Sequence, residues 1–216
     1  MNIIYEDDAL LAVNKPEGIS VIPERDLERD SLLKQLEAER KEKLFVIHRI
    51  DKDVSGLILF AKHPSAHRHF CLQFERRKVD KVYSAVAHGA IEPLKGFIDK
   101  PLREFGSGRM GVDVVKGKAC RTAYSVLENH GSYAFVRISP LTGRRHQIRV
   151  HFYSIGHSLV GDRMYGDKTT QSCYARLMLH SLEMTIRLPN DKPVTLSAPL
   201  PPSFVELEKR CKEGAC

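Results

Sequence analysis

A carboxylate beside basic residues, between two apolar runs, is the most informative chemical feature of the sequence. Asp51 follows His48 and Arg49 in a short polar segment. Apolar runs at 44–47 and 57–61 predict strands that would hold this segment rigidly, as a nucleophile requires. Gly56 would supply a backbone conformation that a Cβ forbids. A polar turn whose side chains only satisfy backbone groups is the other interpretation that the segment allows.

A second basic segment continues from a turn into a predicted amphipathic helix over residues 144–155. Its inward stripe would consist of Ile148, Phe152 and Ile155. Arg145 and Arg149 are spaced i, i+4, so we expect their guanidinium groups to project close together. Two like charges at that spacing favour an anion, either a phosphate of a partner or a carboxylate of the protein, because arginine binds both in a bidentate fork. An arginine-rich helix that serves only solubility is the alternative.

The elements that must position these residues are mostly short strands. Apolar runs predict strands at 10–14, 44–47, 57–61, 82–87, 122–127, 134–139, 177–188 and 194–196. Apolar spacing predicts helices at 31–41, 65–76, 144–155 and 202–212. Because most strands follow one another without an intervening helix, we expect an α+β fold with a mixed, mainly antiparallel sheet flanked by a few helices. A doubly wound sheet is not expected.

The composition is that of a globular protein with a basic surface. The 216 residues are 42% apolar, and Lys and Arg outnumber Asp and Glu by 34 to 27, a net charge of +7. This charge suits a polyanionic partner without requiring one. The glycine-rich basic segment 103–118 predicts a hairpin or loop that could clamp a phosphate backbone, or else a solvated connection.

The chain lacks the sequence signals of export. Residues 1–8 are acidic where a secretory signal would be basic, and no apolar run approaches the roughly 20 residues that span a bilayer. The five cysteines are scattered, without a CxxC pair, which favours reduced thiols. We therefore expect a soluble cytoplasmic protein.

Four motifs, in order, resemble those of the RluA family of pseudouridine synthases. Residues 48–56 resemble the HRLDxxTSG motif around the family's catalytic aspartate, and residues 142–151 resemble its TGRxHQIRVH motif. Residues 14–18 are similar to the NKPxG segment, and residues 81–83 to the KxY motif. Weaker matches follow at 161–167 and 179–181. Ile50 and Val54 depart from the usual Leu and Thr, and the second change removes a hydroxyl near the aspartate.

The resemblance implies the pseudouridine synthase catalytic fold, with a bent sheet and a central cleft. It implies one catalytic domain over residues 1–216, with room for two lobes and without an S4-type RNA-binding domain. The implied activity is isomerisation of uridine to pseudouridine in structured ribosomal or transfer RNA. Neither a cofactor nor a metal ion is expected to take part, and we expect a monomer without a membrane partner.

The resemblance also assigns the site residues. Asp51 would be the catalytic carboxylate, which either attacks the sugar or base or assists proton loss from the ribose. Arg149 would form an ion pair with Asp51 and keep it charged. Tyr83 would stack on the uracil and take part in proton removal, and Arg49 would stabilise the flipped-out nucleotide. Further substrate contacts are expected from Lys15, His48, Arg144, Arg145, His146 and Gln147.

Two other functions fit part of the sequence. Residues 51–54 match the DxDx[TV] nucleophile motif of haloacid-dehalogenase-type phosphatases, but that fold needs a parallel sheet with crossover helices. A non-catalytic RNA-binding or RNA-folding protein on the same scaffold is the second alternative. A metal site is not expected. His63, His67 and His69 have no acid or cysteine at ligand spacing, and His146 and His151 are five residues apart, so they do not share a helix face well.

Overall fold

The structure, a computed structural model, describes residues 2–23 and 30–213, and this part contains twelve strands and five helices. The strands are β1 (Ile3–Glu6), β2 (Leu10–Lys15), β3 (Phe45–Val46), β4 (Ser55–Ala61), β5 (Asp80–His88), β6 (Lys95–Asp99), β7 (Leu102–Glu104), β8 (Met110–Val112), β9 (Arg121–His130), β10 (Tyr133–Pro140), β11 (Leu179–Arg187) and β12 (Pro193–Ser197). The helices are α1 (Leu32–Arg40), α2 (Pro64–Glu75), α3 (Gln147–Ser154), α4 (Lys168–Ser172) and α5 (Pro202–Lys212). Strand pairing is mainly antiparallel, which confirms the predicted α+β class.

The chain forms two compact units. The first consists of Met1–Lys81 and His180–Pro199, and the second of Val82–Leu179 and Leu200–Cys216. The single catalytic domain expected from the sequence stays a prediction. No helix in the described part of the chain is long and apolar enough to cross a membrane.

The first unit is built on strands that are buried on both faces. β4 lies between β2, which is antiparallel to it, and β11, which is parallel to it. Because both faces are covered, β2 and β4 are nearly continuous apolar runs rather than alternating ones. One face packs against α1 through Leu32 and Leu36, and the other packs against α2 through Phe70. This packing fixes the segment that connects β3 to β4 and carries Asp51.

The second unit is an antiparallel sheet with strand order β5-β10-β9-β6 and a separate β7–β8 hairpin. Helix α3 packs on one face, where Phe152 lies edge-on to Tyr124 of β9. Helix α5 packs on the opposite face, where Phe204 joins Val86 and Phe135. The β7–β8 hairpin accounts for part of the glycine-rich basic segment predicted at 103–118.

Three elements were missed by the sequence pattern: β1, β6 and α4. Each is only four or five residues long; α4 contains no apolar residue, and β6 contains only Phe97 and Ile98. The predicted helix at 144–155 begins later, at Gln147, because His146 adopts a left-handed backbone conformation with φ of 53°. The four cysteines in the described ranges are free thiols, as predicted, and Cys216 lies outside those ranges.

Candidate active site

Asp51 lies in the connection between β3 and β4, which is held by backbone hydrogen bonds. The N–H of Val54 donates to the carbonyl of Asp51 at 3.1 Å, and the N–H of Gly18 donates to the carbonyl of Lys52 at 2.9 Å. Asp51 is half-buried, whereas Lys52 and Asp53, which follow it in the turn, are exposed. The flanking strands predicted from the sequence are present, so the carboxylate sits on a fixed support.

Lys15 is buried in the structure, and its predicted contact with the substrate stays a prediction. Its side chain is completely buried, and its ammonium group donates to the carbonyls of Pro16, Ile19 and Lys52 at 2.8, 2.8 and 2.9 Å. Three acceptors match the three N–H donors of an ammonium group. Because one acceptor belongs to the residue after Asp51, Lys15 supports the Asp51 turn from within.

The start of β4 is fixed by a close approach of two backbones. Gly56 has φ of 110°, and a Cβ there would lie 2.2 Å from the carbonyl oxygen of Ser181. Only glycine fits both constraints, as the sequence predicted. Beside it, the buried hydroxyl of Ser55 is hydrogen bonded to Nδ1 of His180 at 2.7 Å. Val54, one of the two departures from the motif, is itself buried.

His48 occupies an apolar setting next to this turn. Its ring stacks on Phe74 with 4.8 Å between centroids, and its Nε2 accepts the N–H of Leu59 at 3.2 Å. Burial lowers the pKa of His48 to about 3, with a smaller contribution from the charge of Lys81. The ring is therefore neutral at physiological pH, and its contacts with Phe74 and Leu59 help to support the turn. Its predicted substrate contact stays a prediction.

The lowered pKa of His48 makes the first unit sensitive to acid. Between about pH 6.5 and about pH 3, His48 is protonated in the unfolded chain but neutral in the folded chain. The free energy of unfolding therefore falls as the pH falls through this window. We expect His48 to contribute up to about 1.4 kcal/mol per pH unit to that loss. His48→Gln keeps a neutral acceptor near Nε2 and should flatten the dependence.

Urea unfolding of wild type and His48→Gln at about pH 7, 6 and 5 measures this difference above the range where most carboxyls titrate. The lowered pKa of the buried His151 is present in both proteins and cancels. Parallel stability curves would show that His48 does not remain neutral in the folded chain.

In the second unit, Gln147 organises the turn before α3. The side chain is buried. Its Oε1 accepts hydrogen bonds from the Thr142 hydroxyl and the Arg144 N–H, at 2.8 and 3.0 Å. Its Nε2 donates to the Arg121 carbonyl and the Thr122 hydroxyl, at 3.1 and 3.0 Å. These four bonds use the full capacity of the amide. The side chain therefore shapes the turn that carries Arg144, and the predicted substrate contact of Gln147 stays a prediction.

Arg145 and Arg149 do not share a helix face, which corrects the i, i+4 prediction. Arg145 lies in the turn before α3, is exposed, and contacts Glu104 of β7 at 2.7 Å. Arg149 lies inside α3 and is buried among neighbouring side chains. Each guanidinium has its own carboxylate of the protein, one of the two anion types that the sequence allowed.

The carboxylate that orients Arg149 is Asp162. Nε and Nη2 of Arg149 both donate to Asp162 at 2.8 Å, and the pair is almost fully buried. Asp162 also accepts the N–H groups of Met164 and Tyr165. The sequence placed Asp162 and Tyr165 in a weak motif without a role. That motif follows the TGRxHQIRVH motif in the family's order. This position was the signal that could have identified both residues.

Tyr165 connects two of the predicted site residues. The Arg149 guanidinium lies 5.2 Å from its ring centroid, and its hydroxyl is 2.7 Å from Nδ1 of His146. The same hydroxyl accepts the N–H of Met110 at 3.1 Å, so it joins β8 to the turn before α3. Burial raises the pKa of Tyr165, which keeps the hydroxyl protonated.

The remaining predicted residues lie as follows. Tyr83 is half-buried on β5, opposite Ile138 of β10, and Arg49 is exposed directly before the Asp51 turn. The structure therefore brings Lys15, His48 and the Asp51 turn together in the first unit. In the second unit it brings together the turn before α3, Arg149 and Tyr165. The pairing of Asp51 with Arg149 stays a prediction.

The alternatives are also constrained by these observations. The described ranges contain no group of three or more His, Cys, Asp or Glu residues that could hold a metal ion. The mainly antiparallel sheets are incompatible with the parallel sheet of haloacid-dehalogenase-type phosphatases, which excludes that rival.

Comparison with known proteins defines the class of this site. Residues 9–154 match the family described as RNA pseudouridylate synthase. The chain is 34% identical over 211 residues to an uncharacterized RNA pseudouridine synthase of Zymomonas mobilis, covering 95% of this chain and 96% of the relative. It is 38% identical over 195 residues to the dual-specificity RNA pseudouridine synthase RluA of Vibrio vulnificus, covering 87% and 78%.

A solved structure shows the same fold. Human RNA pseudouridylate synthase domain containing 1 has a TM-score of 0.81 at 30% identity, covering 93% of this chain and 83% of the human one. The chain therefore belongs to the RluA family of RNA pseudouridine synthases, and it is an isomerase.

Proposed function

We propose that this pseudouridine synthase modifies uridines in structured ribosomal or transfer RNA, as a cytoplasmic, metal-independent monomer with Asp51 as its catalytic carboxylate. The observation that carries the assignment of Asp51 is its mounting on a turn fixed by buried Lys15 and by Gly18. Among the relatives, one from Haemophilus ducreyi that is 32% identical and of which the chain covers 71% is named ribosomal large subunit pseudouridine synthase D. The RluA relative is named dual-specificity. These names support ribosomal RNA as one substrate class.

The reaction rearranges bonds within one nucleotide. The bond between N1 of uracil and C1′ of ribose breaks, the base turns, and a bond between C5 and C1′ forms. The proton on C5 is lost and N1 gains one, so no outside reactant is consumed. A carboxylate that attacks or removes a proton must be ionised, and a nearby cation favours the ionised form.

We assign that cation to Arg149. Its bidentate pair with Asp162 fixes the guanidinium plane through Nε and Nη2, which suits a group that must be oriented before substrate binds. We propose that Nη1 of Arg149 donates to the Asp51 carboxylate. Asp162 and Tyr165 are then positioning residues for Arg149.

The target uridine has to leave its stack to reach the enzyme. We assign Tyr83 to stacking on the flipped uracil and Arg49 to holding the extruded state, while exposed Arg144 and Arg145 and half-buried His146 contact the RNA backbone.

Tyr83→Phe separates two roles of the tyrosine. The ring that stacks is kept and the hydroxyl that could move a proton is lost. If Tyr83 transfers the C5 proton, we expect kcat to fall about 10²- to 10⁴-fold with KM nearly unchanged. Full retained turnover would exclude proton transfer by Tyr83.

The proposed function is tested by tritium release from RNA labelled at uracil C5. Transfer RNA transcripts and fragments of large-subunit ribosomal RNA, each made with [5-³H]uridine, are incubated with the protein after dialysis against a chelator. Isomerisation frees the label into water, and mapping pseudouridine in the product locates the target. Binding of either RNA without release of label would favour the non-catalytic alternative.

A further inference from the structure

One surface of the second unit carries an aromatic ring that its neighbours leave open. Phe97 lies on β6, the outermost strand in the order of its sheet, and is 57% exposed. It is opposite Ala123 of β9, whose small side chain does not cover it. Exposed phenylalanine is uncommon, because leaving a large apolar ring in water forgoes the free energy of its burial.

An arginine lies over this ring. The guanidinium carbon of Arg121 is 4.0 Å from the Phe97 centroid, and the Arg121 side chain is itself 47% exposed. Its ion pair with Asp99 is loose, at 3.7 Å between Nε and Oδ2, and Asp99 is more exposed still. Two flat groups are therefore stacked on each other and remain open to solvent.

The platform formed by Phe97 and Arg121 is tied to the turn before α3. The Arg121 N–H donates to the Thr142 hydroxyl, and the Arg121 carbonyl accepts from the Leu141 N–H and from Gln147 Nε2. This is the turn that presents Arg144, which the proposed function assigns to the RNA backbone. The platform and the segment that carries Arg144 are therefore held by the same turn.

We propose that Phe97 and Arg121 form a stacking platform for an RNA nucleobase outside the catalytic site. The inference rests on the proposed function, since it extends its RNA contacts. An aromatic ring and a guanidinium plane stack on any base, and the guanidinium adds a positive charge that complements the phosphates. Exposed Lys95, two positions before Phe97 on β6, adds to that charge. A nucleobase fits these chemistries better than the apolar side chains of a protein partner do.

The absence of tryptophan from the sequence permits a direct test. Phe97→Trp introduces a single indole at the platform, and stacking on a base quenches indole fluorescence. We expect saturable quenching on titration with a transfer RNA transcript or a large-subunit ribosomal RNA fragment, at the concentrations where wild type binds that RNA in a filter assay.

The matched control is Leu127→Trp. Leu127 is 61% exposed on the same strand as Arg121, six residues or about 20 Å further along it. Its indole should not be quenched. Phe97→Ser should raise the KM for RNA about tenfold and leave kcat unchanged, because one stack is lost and the reacting atoms are untouched.

The outcomes separate this inference from the proposed function. RNA binding with tritium release but an unquenched Phe97→Trp indole would overturn the platform and leave the enzyme assignment standing. Quenching at the platform without tritium release from either RNA would support the platform and count against the proposed substrates. Quenching that follows protein concentration in the absence of RNA would show instead that this surface pairs two copies of the chain, which also overturns the platform.

Discussion

Asp51→Asn should remove pseudouridine formation while leaving the fold intact. The change is nearly isosteric, and the turn is also held by the backbone hydrogen bonds that Val54 and Gly18 donate. A neutral amide can neither attack C1′ nor accept a proton as a base. We expect the rate of tritium release to fall at least about 10⁴-fold, by analogy with removal of a catalytic nucleophile or its partner in other enzymes.

Asp53→Asn is the matched control. It lies two residues away in the same turn, is exposed, and loses the same charge. Turnover of this variant should stay near that of wild type, because no step of the proposed reaction uses Asp53. Equal loss in both variants would mean that the turn needs its net charge rather than a carboxylate at position 51. Retained turnover in Asp51→Asn would refute the assignment of the catalytic residue itself.

Asp162→Ala should be the most destabilising change in the second unit. It removes both bidentate hydrogen bonds from the buried Arg149 guanidinium, and two more from the backbone at Met164 and Tyr165. Loss of one partner from a buried ion pair costs about 3–5 kcal/mol. Urea unfolding followed by circular dichroism measures this loss, provided the transition of the variant stays cooperative.

The control is the exposed pair of Arg145 with Glu104, removed by Glu104→Ala. Both residues are about half exposed, and such pairs contribute about 1 kcal/mol or less. Comparable destabilisation by the two variants would contradict the different roles given to these arginines.

A double replacement separates stability from catalysis. Arg149→Met together with Asp162→Leu removes both buried charges, so it should recover part of the stability that Asp162→Ala loses. It should stay inactive, because it lacks the cation that we propose keeps Asp51 ionised. Recovery of turnover by the double variant would exclude a catalytic contribution from Arg149.

The sequence predicted the elements better than it predicted what the buried polar residues do. The runs of β2 and β4 were recognised because burial on both faces leaves them apolar throughout. The start of α3 was misplaced because a periodic pattern cannot show that His146 takes a left-handed conformation. Element type follows from local patterns, whereas helix ends depend on the turns that precede them.

Lys15 and Gln147 show why site predictions from motifs are uneven. A motif marks residues that matter, but a charged or amide side chain can matter by binding substrate or by binding backbone. That choice depends on burial and on carbonyls far away in sequence, such as that of Lys52 for Lys15. The family resemblance could identify the predicted site residues around Asp51. Only the fold shows which of them face outward and which support the turn.

The sealed environment of Lys15 has a practical consequence for protein chemistry. Its amine is enclosed by three carbonyl oxygens and has no exposed surface, so acylating reagents reach it only when the neighbouring backbone opens. The rate at which this one lysine is labelled therefore reports how often the Asp51 turn opens, and mass spectrometry can compare it with the labelling of exposed lysines.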